Sequence, residues 1–371
     1  MNPTKVCVFC ESWESGGIES FLNNILLHMN LQDMEVDIVT ACLKESVFTA
    51  GLEAHGIHFC ELSGRKRNLA SNHCMFRELL RKRKYDVVHL NLFQGLALHY
   101  AHIAQQEGVP IRIAHSHNTA LRKSPIRVAK LLLHRLGSAL YTHAATDLWA
   151  CSKDAATFLF PSHELENKGY TFIPNGVEIS KFQFDQTLRT QTRKELGIDE
   201  HLVVGNVGRL TYQKNQSFAL DVFAEIVKLH PNSTLLLVGE GEDRMRLEEK
   251  SLQLGIADRV IFHGVSKQVE RLFWAMDLFI FPSQFEGLGI VAMEAQAAGL
   301  PVLCSDAVPR EAHLTEGIHA LALGDSSEHW AKTALAMAAV KAERSYGAKA
   351  VASAGFDVRD VVKKIEKRYK E

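Results

Sequence analysis

Apolar residues along this chain gather into short uninterrupted runs, and the stretches between the runs carry helical spacing. In the first half, Val6–Phe9, Val36–Thr40, Asp86–Leu90, Ile111–His115, Leu148–Cys151 and Thr171–Pro174 read as strands. In the second half, Val203–Gly208, Ser233–Val238, Val260–Phe262, Leu278–Phe281 and Pro301–Cys304 do the same. A strand that is apolar on both faces belongs to a parallel sheet covered by helices. Helices are predicted near Ile18–Met29, Pro125–Ala144, Leu220–Leu229 and Asp357–Lys370, the last with Val358, Val361, Val362 and Ile365 on one face. The polar stretch from Ile179 to His201 lacks strong periodicity and reads as a connection between two halves. Strands alternating with helices on either side of that connection predict two doubly wound α/β domains facing across a cleft.

A length of 371 residues fits two such cores. With 46% hydrophobic and 23% charged residues and a net charge of −1, the composition is that of a globular protein with no global bias toward nucleic acid. No stretch approaches the roughly 18 apolar residues of a membrane span, and the N-terminal residues run straight into a strand, so a cytoplasmic location is expected. Seven cysteines are scattered through apolar runs. The pair Cys7 and Cys10 reads as two small residues of a buried strand, since no second pair completes a metal site.

The candidate chemistry lies in turns that follow strands, which in such sheets is the ligand-binding edge. Phe285-Glu286-Gly287-Leu288-Gly289-Ile290-Val291-Ala292-Met293-Glu294 sets two carboxylates around a glycine-flanked helix start. The backbone N–H groups of Leu288, Gly289 and Ile290 there suit an anion, and the glutamates suit hydroxyls on either side of it. Gly208-Arg209-Leu210-Thr211-Tyr212-Gln213-Lys214 offers a guanidinium and an ammonium that together could neutralise a diphosphate. Gly16-Gly17-Ile18-Glu19 follows the first strand and could bring backbone N–H groups to a phosphate, but it is neither a P-loop nor a dinucleotide fingerprint. Val238-Gly239-Glu240-Gly241 also lacks a third glycine, with Arg244 in its place. His115 and His117 end a strand; His117 is the better substrate contact, and a third metal ligand is not evident. No D-x-D pair occurs, so no divalent cation is expected to hold the phosphates.

In order and spacing these segments, with Pro174-Asn175-Gly176-Val177, His263-Gly264 and Glu294-Ala295-Gln296-Ala297-Ala298-Gly299, resemble the retaining glycosyltransferases of family 4, most closely the exopolysaccharide and capsule type. The resemblance implies the GT-B fold. An acceptor-binding Rossmann-like domain would span 1–178, a nucleotide-sugar-binding one 179–355, and the helix 356–371 would cross back to the first. It implies transfer from a nucleotide sugar, UDP-linked by expectation, to a glycan or polyprenyl-diphosphate-linked acceptor, with no cofactor and no metal. Glu286 would bind donor hydroxyls and Glu294 the ribose, Arg209 and Lys214 would stabilise the leaving diphosphate, and His117 would lie beside the donor sugar. Gly16, Gly17, Leu288, Gly289 and Ile290 would contribute backbone contacts, Glu240 and Gly264 would frame the base, and Asn175 and Gly208 complete the donor-binding set. Asn118 stands where the family often has Asp, which disfavours a base there, and Leu288 stands where an aromatic is frequent. No residue is a convincing nucleophile, so same-face attack is expected. The alternatives are a sugar-nucleotide epimerase of the same fold and a catalytically silent nucleotide-binding paralogue.

Basic residues cluster at Arg65-Lys66-Arg67, from Arg77 to Lys84, and from Arg112 to Arg135, with no acid between Glu107 and Asp147. Leu131-Leu132-Leu133 interleaves with Arg127, Lys130 and Arg135. This pattern predicts a face for an anionic membrane, peripheral to the inner side of the cell membrane; no nucleic-acid motif accompanies it.

Overall fold

The computed structural model describes residues 3–14, 16–65, 68–121, 127–340 and 343–371. The chain divides into two compact units, Met1–Gly176 with Val358–Glu371, and Val177–Asp357. The first holds a seven-stranded sheet of β1 (Thr4–Cys10), β2 (Met34–Thr40), β3 (His58–Glu61), β4 (Val87–Leu92), β5 (Ile111–Ser116), β6 (Asp147–Ala150) and β7 (Thr171–Phe172) in the order β3-β2-β1-β4-β5-β6-β7. The second holds six strands, β8 (Leu202–Val207), β9 (Ser233–Val238), β10 (Val260–Gly264), β11 (Leu278–Phe281), β12 (Val302–Ser305) and β13 (Ile318–Leu321), in the order β10-β9-β8-β11-β12-β13.

Every pair in both sheets is parallel. That is what the uninterrupted apolar runs require, because each central strand is covered on both faces. Val6–Cys10 is buried throughout, and Val6 pairs with Val36 on one side and Val87 on the other. In the second unit, Val204, Leu235, Leu237, Ile280 and Leu303 from four strands share a core with Leu220, Phe223 and Trp330 from helices. Cys7 and Cys10 are buried in β1 and form no disulfide.

The C-terminal helix Val358–Tyr369 belongs to the first unit and buries Val358, Val361, Val362, Ile365 and Tyr369. Arg368 pins it to Asp147 with hydrogen bonds of 2.7 and 2.8 Å, and Lys364 donates to the Phe172 carbonyl at 2.6 Å.

Three sequence expectations change. The stretch read as a connection contains the helices Ile179–Phe182 and Gln186–Leu196. The second is capped by Asp185, whose side chain accepts from Leu188 N, and ends at Gly197 in the left-handed region. It showed no apolar period because its inward face is basic: Arg189 and Arg193 pair with Asp277 at 2.5 and 3.1 Å and donate to carbonyls of Trp274, Ala275 and Met276. Strands β3 and β13 were missed, since neither is fully buried and edge strands lack the apolar run. The basic cluster from Arg77 to Lys84 is in part paired with acids: Arg77 and Arg81 pair with Glu107, and Arg83 forks onto the buried Asp37, which also accepts from Tyr85. Lys66, Arg67, Arg122, Lys123 and the predicted helix start at Pro125 lie outside the described residues.

Gln296 ties the helix Ile290–Ala297 to the segment entering β13. Its amide nitrogen donates to Ala292 O and Ala312 O, and its oxygen accepts from Leu314 N and Thr315 N at 2.8 and 3.0 Å. Gln296→Leu keeps the volume but strands the Leu314 and Thr315 N–H groups. It is expected to destabilise the protein by about 2–4 kcal/mol. Urea unfolding followed by fluorescence measures this, and an unchanged midpoint would show that those groups find other partners.

Candidate functional site

In each sheet the strand order runs outward in both directions from a central pair, β1 with β4 and β8 with β11. Loops leaving the carboxyl ends of such a pair diverge and leave a crevice, where ligands bind in doubly wound folds.

At the second of these points, the loop after β8 (208–215) and the loop after β11 (282–289) are stitched together. Gln284 N donates to Gln213 O at 2.7 Å, the Gln213 amide to Phe285 O at 3.0 Å and the Asn215 amide to Pro282 O at 3.0 Å. This brings Lys214 Nζ to 2.8 Å from Glu286 Oε1, with both side chains largely buried, and sets the ammonium 4.8 Å from the centroid of the Phe281 ring. The two residues the sequence had given separate roles therefore form one ion pair. Arg209 is exposed on the first of these loops. Next to it, Leu210 N donates to Glu240 O from the loop after β9. That approach is close enough that a Cβ at Gly239 would lie 2.2 Å from Gly208 O.

The helix Ile290–Ala297 starts from Gly289, which sits in the left-handed region at φ 86°, where an L side chain is strained. Leu288 is buried beneath this turn. One turn into the helix, burial pushes the Glu294 carboxyl up to about 7; Glu270 adds to the rise, and Lys181 and Lys214 oppose it. Lys181 and Glu270 approach to 3.5 Å. The sequence reading missed both: Lys181 lay in the presumed connection, and Glu270 opens a short helix, Val269–Ala275, that showed no motif. Glu240 is paired with Arg244 at 2.8 Å, and that guanidinium lies 4.8 Å from the Phe262 ring centroid. Gly264 accepts a backbone bond from Gly239 at 2.8 Å, which joins the ends of β9 and β10.

In the first unit, Gly16 precedes the helix Gly17–Leu27 and Glu19 is buried in its first turn. The Glu19 carboxylate accepts from Glu14 N at 3.2 Å, and a Cβ on Gly16 would lie 2.7 Å from it. A protein carboxylate thus stands at the helix start that was read as a phosphate contact. His117 follows β5, and its Nε2 is 2.9 Å from Asn91 Oδ1. Since the Asn91 amide nitrogen faces Phe9 O, its oxygen is the acceptor; His117 Nε2 donates and Nδ1 keeps a lone pair. Burial, with His89 nearby, lowers the His117 pKa to about 3, so the ring is neutral. Behind it His115 contacts His89 at 3.1 Å, and His89 contacts the Tyr369 hydroxyl at 2.6 Å. His89, Asn91 and Tyr369 went unnoticed in the sequence; in the β4–β5 register Asn91 lies opposite His115 and His89 opposite Ile113. Asn175 is buried, and its side-chain oxygen has no hydrogen-bond partner among the described residues. A cavity of ≈ 180 Å³ opens where β1, β2 and β4 end, lined by Glu11, Gln94, His99, Tyr100 and Tyr141 among others.

Two family models match the chain: "Glycosyl transferase 4-like domain" over residues 16–176 and "Glycosyl transferases group 1" over residues 189–336. A protein named as the glycosyltransferase EpsF of Bacillus subtilis is 32% identical over 265 residues, 70% of this chain and 68% of that protein. The UDP-Gal:alpha-D-GlcNAc-diphosphoundecaprenol alpha-1,3-galactosyltransferase of Escherichia coli is 27% identical, with 62% of this chain and 60% of that protein aligned. Among solved structures, Anabaena Alr3699/HepE in complex with UDP and glucose superposes with a TM-score of 0.81 over 99% of both chains at 22% identity, which shows a shared fold.

Lys214→Met removes the ammonium that lies 2.8 Å from the mostly buried Glu286 carboxylate. A loss of about 2–3 kcal/mol of stability is expected, partly regained in the double variant with Glu286→Gln. Thermal unfolding of the three proteins tests the pairing, and equal melting temperatures for the wild type and Lys214→Met would refute it.

Proposed function

This chain belongs to the group 1, family 4 glycosyltransferases, which have the GT-B fold, and within that family we propose that it transfers a sugar from a UDP-linked donor to a glycan or polyprenyl-diphosphate-linked acceptor in surface polysaccharide synthesis. The observation that supports this reading most is the Lys214–Glu286 pair, which joins the loop that carries Arg209 to the loop that opens the Gly289 helix start. The UDP and glucose named with the Anabaena protein, and the UDP-galactose donor and diphosphoundecaprenol acceptor named for the Escherichia coli relative, favour the same substrate classes.

On this reading Arg209 and Lys214 stabilise the charge that develops on the β-phosphate as the bond from the anomeric carbon to its oxygen breaks. The acceptor hydroxyl attacks from the face the phosphate is leaving, and its proton passes to the departing phosphate oxygen, so configuration is retained without a covalent enzyme intermediate. Lys214 also fixes Glu286, whose carboxylate accepts donor-sugar hydroxyls. Neutral His117 presents Nδ1 as an acceptor to a sugar hydroxyl. Glu294 takes the ribose diol, Glu240 and Gly264 frame the base, and the N–H groups at Gly289 and Ile290 meet phosphate. Protein cations fill the role that a metal ion plays in other transferases. Among the described residues no helix is long and apolar enough to cross a membrane; the basic clusters of the first half favour a peripheral position on an anionic membrane.

Transfer from UDP-glucose or UDP-galactose to a diphosphoundecaprenol-linked sugar, followed by mass spectrometry, is the direct test. Arg209→Ala and Lys214→Ala are each expected to lower kcat by about 10²–10³. Wild-type turnover should persist in EDTA. Turnover abolished by EDTA, or a trapped glycosyl–enzyme adduct, would refute the mechanism.

Glu294 yields a pH prediction with a definite sign. Ribose hydroxyls donate to a carboxylate better than to the acid, and the folded pKa is about 7, so donor binding requires loss of a proton. Affinity for UDP should therefore weaken as pH falls, by about tenfold from pH 8 to pH 6. Calorimetry in buffers of different ionisation enthalpy should show proton release at neutral pH, and Glu294→Gln should flatten the profile.

A further inference from the structure

Behind His117 lies a row of buried polar rings that the reaction described above leaves unused. Tyr369 ends the C-terminal helix with its hydroxyl 2.6 Å from His89 Nδ1, and His89 Nε2 lies 3.1 Å from His115 Nδ1. All three side chains are exposed by 1% or less. His115 Nε2 is buried and has no hydrogen-bond partner among the described residues. The His115 ring lies against that of His117, with centroids 4.0 Å apart and planes tilted by 36°. Phe21 packs on both of these rings, at 5.3 and 4.9 Å, and Trp149 makes edge-to-face contacts with His89 and His115 at 5.1 and 5.9 Å.

The hydrogen-bond lengths give the row a direction. A neutral imidazole carries one proton, so each ring donates from one nitrogen and accepts at the other. Burial keeps both rings neutral: it pushes His89 down to about 3, and it pushes His115 well below its ordinary value, with His117 and His89 adding to the fall. A separation of 2.6 Å suits a hydroxyl donor, and 3.1 Å suits an N–H donor. Among the described residues the Tyr369 hydroxyl has no other partner for its proton. Tyr369 therefore donates to His89 Nδ1 and His89 Nε2 donates to His115 Nδ1, which leaves the His115 proton on Nε2. The opposite direction would strand the phenol proton in the core.

We propose that Tyr369, His89 and His115 are positioning residues for His117: the phenol selects one proton arrangement in the row, and the His115 ring so fixed holds His117 with Nδ1 turned to the donor sugar. Asn91 secures the other nitrogen, accepting from His117 Nε2 at 2.9 Å. None of the three touches substrate. The inference rests on the sugar contact assigned to His117 above.

Tyr369→Phe keeps the ring and removes only the hydroxyl. Without the phenol proton the two arrangements of His89 and His115 become comparable, because each leaves one lone pair and one N–H bare. Nitrogen-15 spectra of the full chain with labelled histidine are expected to show His115 protonated on Nε2 in the wild type and a mixture of both tautomers in Tyr369→Phe. In UDP-glucose and UDP-galactose hydrolysis, Tyr369→Phe should lower kcat/KM about fivefold, and His117→Ala about tenfold. Affinity for UDP, which has no sugar, should stay unchanged in Tyr369→Phe. The double variant should match His117→Ala alone, since a residue that acts through another has no effect once the other is gone. A wild-type His115 protonated on Nδ1 overturns the proposal without any variant. Additive losses in the double variant, or weakened UDP binding in Tyr369→Phe, overturn it as well. A loss in His117→Ala with none in Tyr369→Phe removes the positioning role alone, whereas wild-type kcat/KM in His117→Ala removes the sugar contact and the positioning role with it.

Discussion

Lys214 and Glu286 are 72 residues apart in the chain and 2.8 Å apart in space. Neither charge would be tolerable alone in so dry a place, since a buried ion without its partner loses several kcal/mol of hydration. Their meeting depends on one constraint. Parallel strands need crossover connections, so every loop that follows a strand leaves from the same edge of the sheet. Because β8 and β11 are hydrogen-bonded neighbours, the loops after them must lie side by side. The three bonds between Gln213, Asn215 and the 282–285 segment then set their register. The Gly289 helix start follows in the same loop, so cation, carboxylate and helix end form one assembly.

The first unit uses burial differently. Its edge presents imidazoles whose charged forms are suppressed by desolvation, which pushes His89 and His117 to about 3. Such groups cannot neutralise a phosphate, but they donate and accept hydrogen bonds directionally without changing charge near neutral pH. Asn91 decides which His117 nitrogen carries the proton, and the Tyr369 hydroxyl, from the C-terminal helix, reaches the same network through His89 and His115. The last turn of the chain is thereby coupled to the edge of the first sheet.

Charge at the surface is distributed just as unevenly. A net charge of −1 conceals a 39-residue acid-free segment, from 108 to 146. Elsewhere basic residues are spent on internal partners: Arg83 on Asp37, Arg81 on Glu107 and Arg189 on Asp277. A close glycine contact between residues 95 and 137 has the opposite consequence, because it holds a leucine-rich face outward.

What was legible in the amino-acid order is what depends on neighbours in sequence. Apolar runs marked eleven strands because a doubly covered parallel strand needs no alternation, and glycines after them marked the turns. The E-x7-E segment and the Arg209–Lys214 loop were visible for the same reason, as residue types at fixed short spacings. Tertiary structure alone decided the rest. Gln186–Leu196 is held by arginines reaching carbonyls and Asp277, a pattern no hydrophobic period reports. Lys214 with Glu286, Glu294 with Lys181 and Glu270, and His89 with Tyr369 are pairings across long separations that exist only once the sheets close. The direction in which Leu132 and Leu136 point was equally hidden. Periodicity says that a helix has an apolar face, but only packing against Gly95 determines which face it must turn away.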